Sequence, residues 1–214
     1  MARNELGHII HDPATREEWL GYRAEGIGAS EAGTVLGVNP YSNARALWEI
    51  KTGRAKRPDL SGNPAVQFGI AAEEHIRALW ALQHPDWKVE HHPYRMYGRG
   101  CMYCTLDGEL TDPDGRRGIL EIKTATPHVW SEWDGRIPQG YYVQLLHQLY
   151  CCPRAEFAIL VGYLMGGDRV SIPEYKFYRD VYSEDIQTVA EAVTRFWGAY
   201  VLPGIEPPDA LPEI

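Results

Sequence analysis

At 214 residues, 44% of them hydrophobic and with a formal charge of −8, the chain has the material for one substantial core and little to attract phosphates from a distance. That acidity excludes a general nucleic-acid coat protein, whose nonspecific affinity comes from Lys and Arg neutralising phosphates. No apolar run approaches the ~20 residues of a membrane helix, so a soluble single domain over residues 1–214 is expected, with an irregular proline-rich tail over about 203–214.

Met1 to His8 hold no apolar signal core, which makes the cytoplasm the expected location. A helical start at Arg16–Arg23 leads through a small-residue turn into a short helix ending at Gly37, with Ser30 at its N-cap. Ser30 there satisfies a free amide, worth about 1 kcal/mol, or with Arg23 holds a phosphate at the helix end. Ser42 caps a second predicted helix over Asn43–Thr52. Asn63-Pro64 opens a longer one whose stripe of Phe68, Ala72, Ile76, Leu79 and Trp80 runs until Pro85. Glu73 borders that stripe as a rim carboxylate or a metal ligand, and Gly69 one turn earlier leaves room for a close approach.

Strands are expected at Trp87–His91, Cys101–Leu106 and Gly118–Thr124. Between the last two, Thr111-Asp112-Pro113-Asp114-Gly115 reads as a turn that returns the chain on itself and brings Asp107 alongside Glu121. Residues two apart in a strand share a face, so Glu121 and Lys123 project together while Leu120 and Ile122 face the other way. The pair is an exposed ion pair worth under ~1 kcal/mol, or, with Asp107, a site of two carboxylates and an ammonium suited to Mg²⁺ or Mn²⁺ and phosphodiester hydrolysis. A helix over Gln139–Cys151 carries Gln144 and Gln148 one turn apart, exposed to solvent or directed at a phosphate or a metal-bound water. Strands over Glu156–Leu164 and Arg169–Arg179 follow, then a final helix capped by Ser183.

Arg95, Arg99, Arg116, Arg117 and Arg136 are candidates for a basic DNA groove or for scattered surface charge. The four cysteines, Cys101, Cys104, Cys151 and Cys152, lack good ligand spacing and are read as reduced thiols, and the histidines as structural or surface residues. The expected fold class is α/β: a central mixed β-sheet with a crossover helix, flanked by helices.

Several separated motifs, in order from about Trp19 to Tyr150, resemble those of the YqaJ-type viral recombinases, the phage lambda exonuclease family, within the PD-(D/E)xK nucleases. They are Trp19-Leu-Gly-Tyr-Arg23 with Ile27-Gly-Ala-Ser30-Glu31, Leu36-Gly37-x-Asn39-Pro40-Tyr41, Trp48-Glu49-x-Lys51-x-Gly53, Gly69-x-x-x-Glu73, Leu106-Asp107-Gly108 with Glu121-Ile122-Lys123, and Gln144-x-x-His147-Gln148-Leu149. One departure is Leu106, where the family signature often has proline. The resemblance implies a restriction-endonuclease-like core. It implies Asp107, Glu121 and the Ile122 main-chain carbonyl as ligands of Mg²⁺ (Mn²⁺ substituting), and Glu73 for a second ion or its water. Lys123 would orient or deprotonate the attacking water, Gln144 would place the nucleophile or the phosphate, and Arg23 and Ser30, with Thr105 more loosely, would hold a 5′-phosphate. It further implies a 5′-to-3′ exonuclease on double-stranded DNA ends, a homotrimeric ring and a single-strand DNA annealing partner. The competing readings are a structure-specific or restriction-type endonuclease of the same fold, a Cas4-like enzyme with a cysteine-bound cluster, a DNA-end binder without catalysis, and a structural domain.

Overall fold

The computed structural model describes residues 6–125, 137–166 and 169–208. Among them the strands form two sheets, and the site lies where one hands the chain to the other. The smaller sheet has the order β1–β4–β5–β2, from β1 (Ile9–His11), β2 (Ile27–Gly28), β4 (Met96–Arg99) and β5 (Met102–Cys104). The larger has the order β10–β8–β7–β6–β3, from β3 (Lys88–Glu90), β6 (Gly108–Thr111), β7 (Arg117–Ala125), β8 (Phe157–Gly166) and β10 (Glu174–Tyr178). A short β9 (Arg169–Ser171) pairs with β8 outside this path. The single central sheet expected from sequence is thus two. The predicted strand Cys101–Leu106 ends at Cys104, and Thr105 to Asp107 carry the chain across. The predicted strand Arg169–Arg179 is likewise interrupted, and the Pro173 carbonyl there accepts from Gly162 N.

Helices α1 (Arg16–Tyr22), α2 (Ala29–Val35), α3 (Ala44–Lys51), α4 (Pro64–Gln83), α5 (Gln139–Cys151) and α6 (Ser183–Phe196) complete the fold, with a π-helical turn at Trp197–Val201. Their caps follow the local chemistry. Thr15 and Glu18 make a capping box on α1, and Asn63 Oδ1 accepts from Ala65 N at 2.9 Å with Pro64 at the first helical position. Three cap expectations are corrected. Asn43 rather than Ser42 caps α3, accepting from Ala46 N at 2.9 Å. Ser183 is the first residue of α6 and Tyr182 its N-cap. Gly28, not Ser30, is the N-cap of α2, because the Glu31 carboxylate takes the Gly28 amide at 2.8 Å.

Strand β7 organises the larger sheet. It runs antiparallel to β6 and parallel to β8, with α5 as the crossover. Its two faces meet different layers: Ile119 joins the cluster that includes Leu145, Leu149, Ala158 and Leu160, whereas Leu120 and Ile122 pack with Ile76 and Trp80 of α4 and with Phe157, Ile159 and Val161. Glu121 and Lys123, alternating with the second set, therefore face α5. Of the expected α4 stripe only Ile76 and Trp80 are buried, while Phe68 is 41% and Leu79 39% exposed. The close approach at Gly69 is made by the protein itself, since a Cβ there would lie 3.2 Å from Thr124 Oγ1. No helix among the described residues is long and apolar enough to cross a membrane.

Candidate functional site

The β6–β7 hairpin is built by Asp112. Its buried carboxylate accepts from Asp114 N at 3.0 Å, from Arg116 N at 2.8 Å and from Arg116 Nε at 2.8 Å, and Gly115 supplies the positive φ of 82° that closes the turn. The resulting register sets Gly108 opposite Leu120, so Asp107, one residue back, falls beside Glu121. There the ladder stops: the Ile122 amide, with no β6 partner, donates to Asp107 Oδ2 at 2.7 Å. In an extended strand a residue's carbonyl points the same way as its amide, so the Ile122 carbonyl is aimed past the end of β6 toward Asp107.

Glu121, only 2% exposed, is held on both oxygens. Oε1 accepts from Lys123 Nζ and from Gln144 Nε2, the latter at 2.5 Å, and Oε2 accepts from Gln148 Nε2 at 2.5 Å. Both glutamines are buried, not solvated. Glu73 reaches the site from α4 through Arg77, whose Nη1 lies 3.1 Å from Glu73 Oε1 and 2.8 Å from the Asp107 carbonyl. Burial, with the nearby Glu121 and Glu73 carboxylates, pushes the Asp107 carboxyl well above its ordinary range. Burial works against charge on Lys123, but the Glu121 and Asp107 carboxylates outweigh it and raise its pKa, so the ammonium persists.

Asp107, Glu121, Glu73 and the Ile122 carbonyl are hard oxygen donors, the set preferred by Mg²⁺ or Mn²⁺, and the Asp107 carboxyl is raised first by burial and then by the neighbouring Glu121 and Glu73 carboxylates. No three His, Cys, Asp or Glu side chains among the described residues converge to hold an ion; Glu121 is occupied by Lys123 and two amides, and Glu73 by Arg77. The donor chemistry nonetheless fits a hard divalent cation.

The second group of residues sits across the Thr105 link. Trp19 Nε1 donates to Thr105 Oγ1 at 3.0 Å, and the Arg23 guanidinium stacks over the Trp19 ring, 4.7 Å from its centroid. Thr105, two residues before Asp107, thus connects the Arg23 platform to the carboxylates. Ser30 is exposed in the first turn of α2, one residue before Glu31. What sequence reasoning missed is Glu31 itself. Buried at 6% exposure, it pairs with Lys51 at 2.7 Å, with Arg57, and with Arg23 at 3.9 Å. Burial alone would raise its pKa, but the three cations hold it below the ordinary range. Three cations on one anion leave a local surplus of positive charge, and Arg23 Nε is buried without a partner among the described residues. Lys51 within Trp48-Glu49-x-Lys51-x-Gly53 was the available signal, but nothing local ties it to Glu31.

The other arginines do not form the groove considered from sequence. Arg95 is shared between Asp12 and Glu109, Arg116 between Asp112 and Asp114, Arg117 donates to Thr111 Oγ1, and Arg99 lies over Tyr150. Arg136 lies outside the described residues. Cys104, Cys151 and Cys152 are buried, with Cys104 Sγ 3.8 Å from Cys152 Sγ, and burial raises the pKa of all three thiols. Cys101 is only partly buried.

The model of the YqaJ-like viral recombinase domain matches residues 18–155, which include Glu73, Asp107, Glu121, Lys123 and Gln144. The protein YqaJ of Bacillus subtilis (strain 168) is 31% identical over 204 residues, covering 90% of this chain and 59% of that protein, so the chain spans well under two thirds of this relative's length. In fold it is similar to the alkaline exonuclease LHK-Exo of Laribacter hongkongensis, at 19% identity, a TM-score of 0.65, and 89% of this chain over 94% of that one. The structure of LHK-Exo in complex with dAMP gives the same TM-score of 0.65 at 20% identity, again with 89% of this chain on 94% of that one. The two-sheet α/β architecture is thus shared with LHK-Exo, and the chain belongs to the YqaJ-like viral recombinase domain family.

Proposed function

We propose that this chain is a divalent-metal-dependent deoxyribonuclease that digests linear double-stranded DNA from its ends in the 5′-to-3′ direction, releasing 5′-mononucleotides and leaving 3′ single strands. The observation that carries the reading is the convergence of Asp107, Glu121 and Lys123 where β6 stops pairing with β7, with a cationic cluster one short link away through Thr105. The fold shared with LHK-Exo, an alkaline exonuclease whose structure was also solved with dAMP, supports a nuclease that handles nucleotides.

Asp107, Glu121 and the Ile122 carbonyl are the ligands of a first Mg²⁺, and Glu73 serves a second ion. When bound, such ions supply Lewis-acid stabilisation of the charge that builds on the phosphate. Lys123, kept cationic by its two carboxylates, donates to the attacking water and orients it; a base role is disfavoured by the same raised pKa. Gln144, one amide hydrogen away from Glu121, places the scissile phosphate. Arg23, backed by Trp19, and Thr105 receive the 5′-terminal phosphate, with Ser30 at the rim. A local cationic cluster of this kind suits a protein whose overall charge is −8. Retention on DNA then comes from topology, in a homotrimeric ring, and the exposed 3′ strand passes to an annealing protein.

The test offers the chain Mg²⁺ with end-labelled linear duplex bearing a 5′-phosphate or a 5′-hydroxyl, and with closed circular plasmid. Mononucleotide release from the phosphorylated linear DNA, reduced at least about 100-fold in Lys123→Ala, is the expected result. Nicking of the circle would replace this reading with an endonuclease, and no cleavage across a range of metals would leave a DNA-end binder.

A further inference from the structure

The Glu121 carboxylate is not gripped symmetrically. Its Oε1 accepts two hydrogen bonds, from Lys123 Nζ and Gln144 Nε2, whereas Oε2 accepts one, from Gln148 Nε2. Each carboxylate oxygen offers two lone-pair positions, so among the described residues Oε1 has both taken and Oε2 keeps one open. Gln148 is 0% exposed, and its carbonyl oxygen is buried with no partner among the described residues. A half-satisfied amide in a core is costly, and a leucine would pack there without that cost. What the position gains is the amide hydrogen on Glu121.

We propose that Gln148 is a positioning residue that fixes the Glu121 carboxylate so that Oε2, with its open lone pair, is the oxygen offered to a divalent cation. The inference rests on the reading of this site as a cation centre. Gln144 and Gln148 stand one turn apart on α5 and hold opposite oxygens, so the carboxylate plane cannot rotate without breaking one of these bonds. Gln148 is fully buried behind Glu121 and acts through it.

The test measures Mn²⁺ binding to the full chain without DNA, by calorimetry and by loss of the free-Mn²⁺ electron paramagnetic resonance signal, for the unsubstituted protein and for Gln148→Leu and Gln148→Met. The two variants fill similar volume with different shapes, so a packing defect peculiar to one is recognised by the other. The expected result is a Kd weakened by about 10- to 100-fold in both. DNA cleavage should be impaired at limiting Mn²⁺ and recover toward the unsubstituted rate at saturating Mn²⁺, a rescue that a merely damaged fold does not show. Unchanged Mn²⁺ affinity in the folded variants overturns the role of Gln148 while leaving the cation reading intact. Absence of Mn²⁺ binding to the unsubstituted protein overturns that reading and this inference with it.

Discussion

His147 lies wholly inside the protein between Gln144 and Gln148 on α5, with Nε2 3.0 Å from the Tyr103 carbonyl, and burial pulls its pKa from 6.5 down to about 4. A base whose folded pKa is depressed is neutral in the fold and protonated in the unfolded chain between those two values, so the unfolded state binds the extra proton. Stability therefore rises with pH through that window: its full value is present above 6.5 and is lost progressively as pH falls toward 4. At about 1.4 kcal/mol per pH unit, the gap amounts to about 3 kcal/mol, a large part of the 5–15 kcal/mol of a typical domain. The assay is urea unfolding followed by tryptophan fluorescence at several pH values between about 4.5 and 7 and constant ionic strength, on the unsubstituted protein and on His147→Gln. The difference between the two slopes isolates His147 from other titrating groups. Identical pH dependence in protein and variant would refute the argument, because it would mean that His147 accepts its proton inside the fold.

Glu31→Gln should destabilise the protein by about 3–5 kcal/mol, since it strands the buried Lys51 ammonium, and a thermal-unfolding midpoint unchanged from the parent would count against the cluster. Gly118→Ala should cost about 1–3 kcal/mol in denaturant unfolding, because a Cβ there meets the Phe157 ring at 2.0 Å and the ring must shift; a neutral result would show that Phe157 has room to move. Arg23→Ala should bring cleavage of 5′-phosphorylated and 5′-hydroxyl ends toward equal rates at a stability cost of about 2 kcal/mol from its half-buried stack on Trp19, and a preserved preference for phosphate would remove Arg23 from the end pocket.

What could be read from sequence is what depends on near neighbours. Asp107 and Glu121 are joined by one tight turn, so the turn chemistry of Asp112 and Gly115 together with strand alternation was enough to pair them. The span of α5 followed from its continuous pattern, and with it the shared placement of Gln144 and Gln148, although burial of both was legible only once α5 lay against β7. Contacts between distant segments escaped. The two residues of β2 pair in parallel with β5 some seventy positions later, a pairing that no local periodicity announces. The capping error at Ser30 has the same origin: a serine at a helix start is a sound local choice, but Glu31 reaches back to Gly28 and is anchored by Lys51 and Arg57, which arrive from α3 and the loop after it.

The placement of charge carries this furthest. Judged by composition, an acidic chain is a poor candidate for gripping a phosphate, and of the arginines that looked free to form a groove, Arg95 and Arg116 are spent on Asp12, Glu109, Asp112 and Asp114. The cations that matter, Arg23, Lys51 and Arg57, are scattered over more than thirty residues and gather only because one buried carboxylate makes it favourable to bring them together. Net charge sets the long-range field, which falls off within a Debye length of about 8–10 Å, while a recessed pocket responds to the few charges inside that distance. On the proposed reading, a locally cationic end pocket in a globally acidic chain would repel the length of a duplex and attract its terminus. Discrimination for ends over internal DNA should therefore weaken as salt screens the acidic surface, and end preference measured at rising ionic strength reads that balance directly.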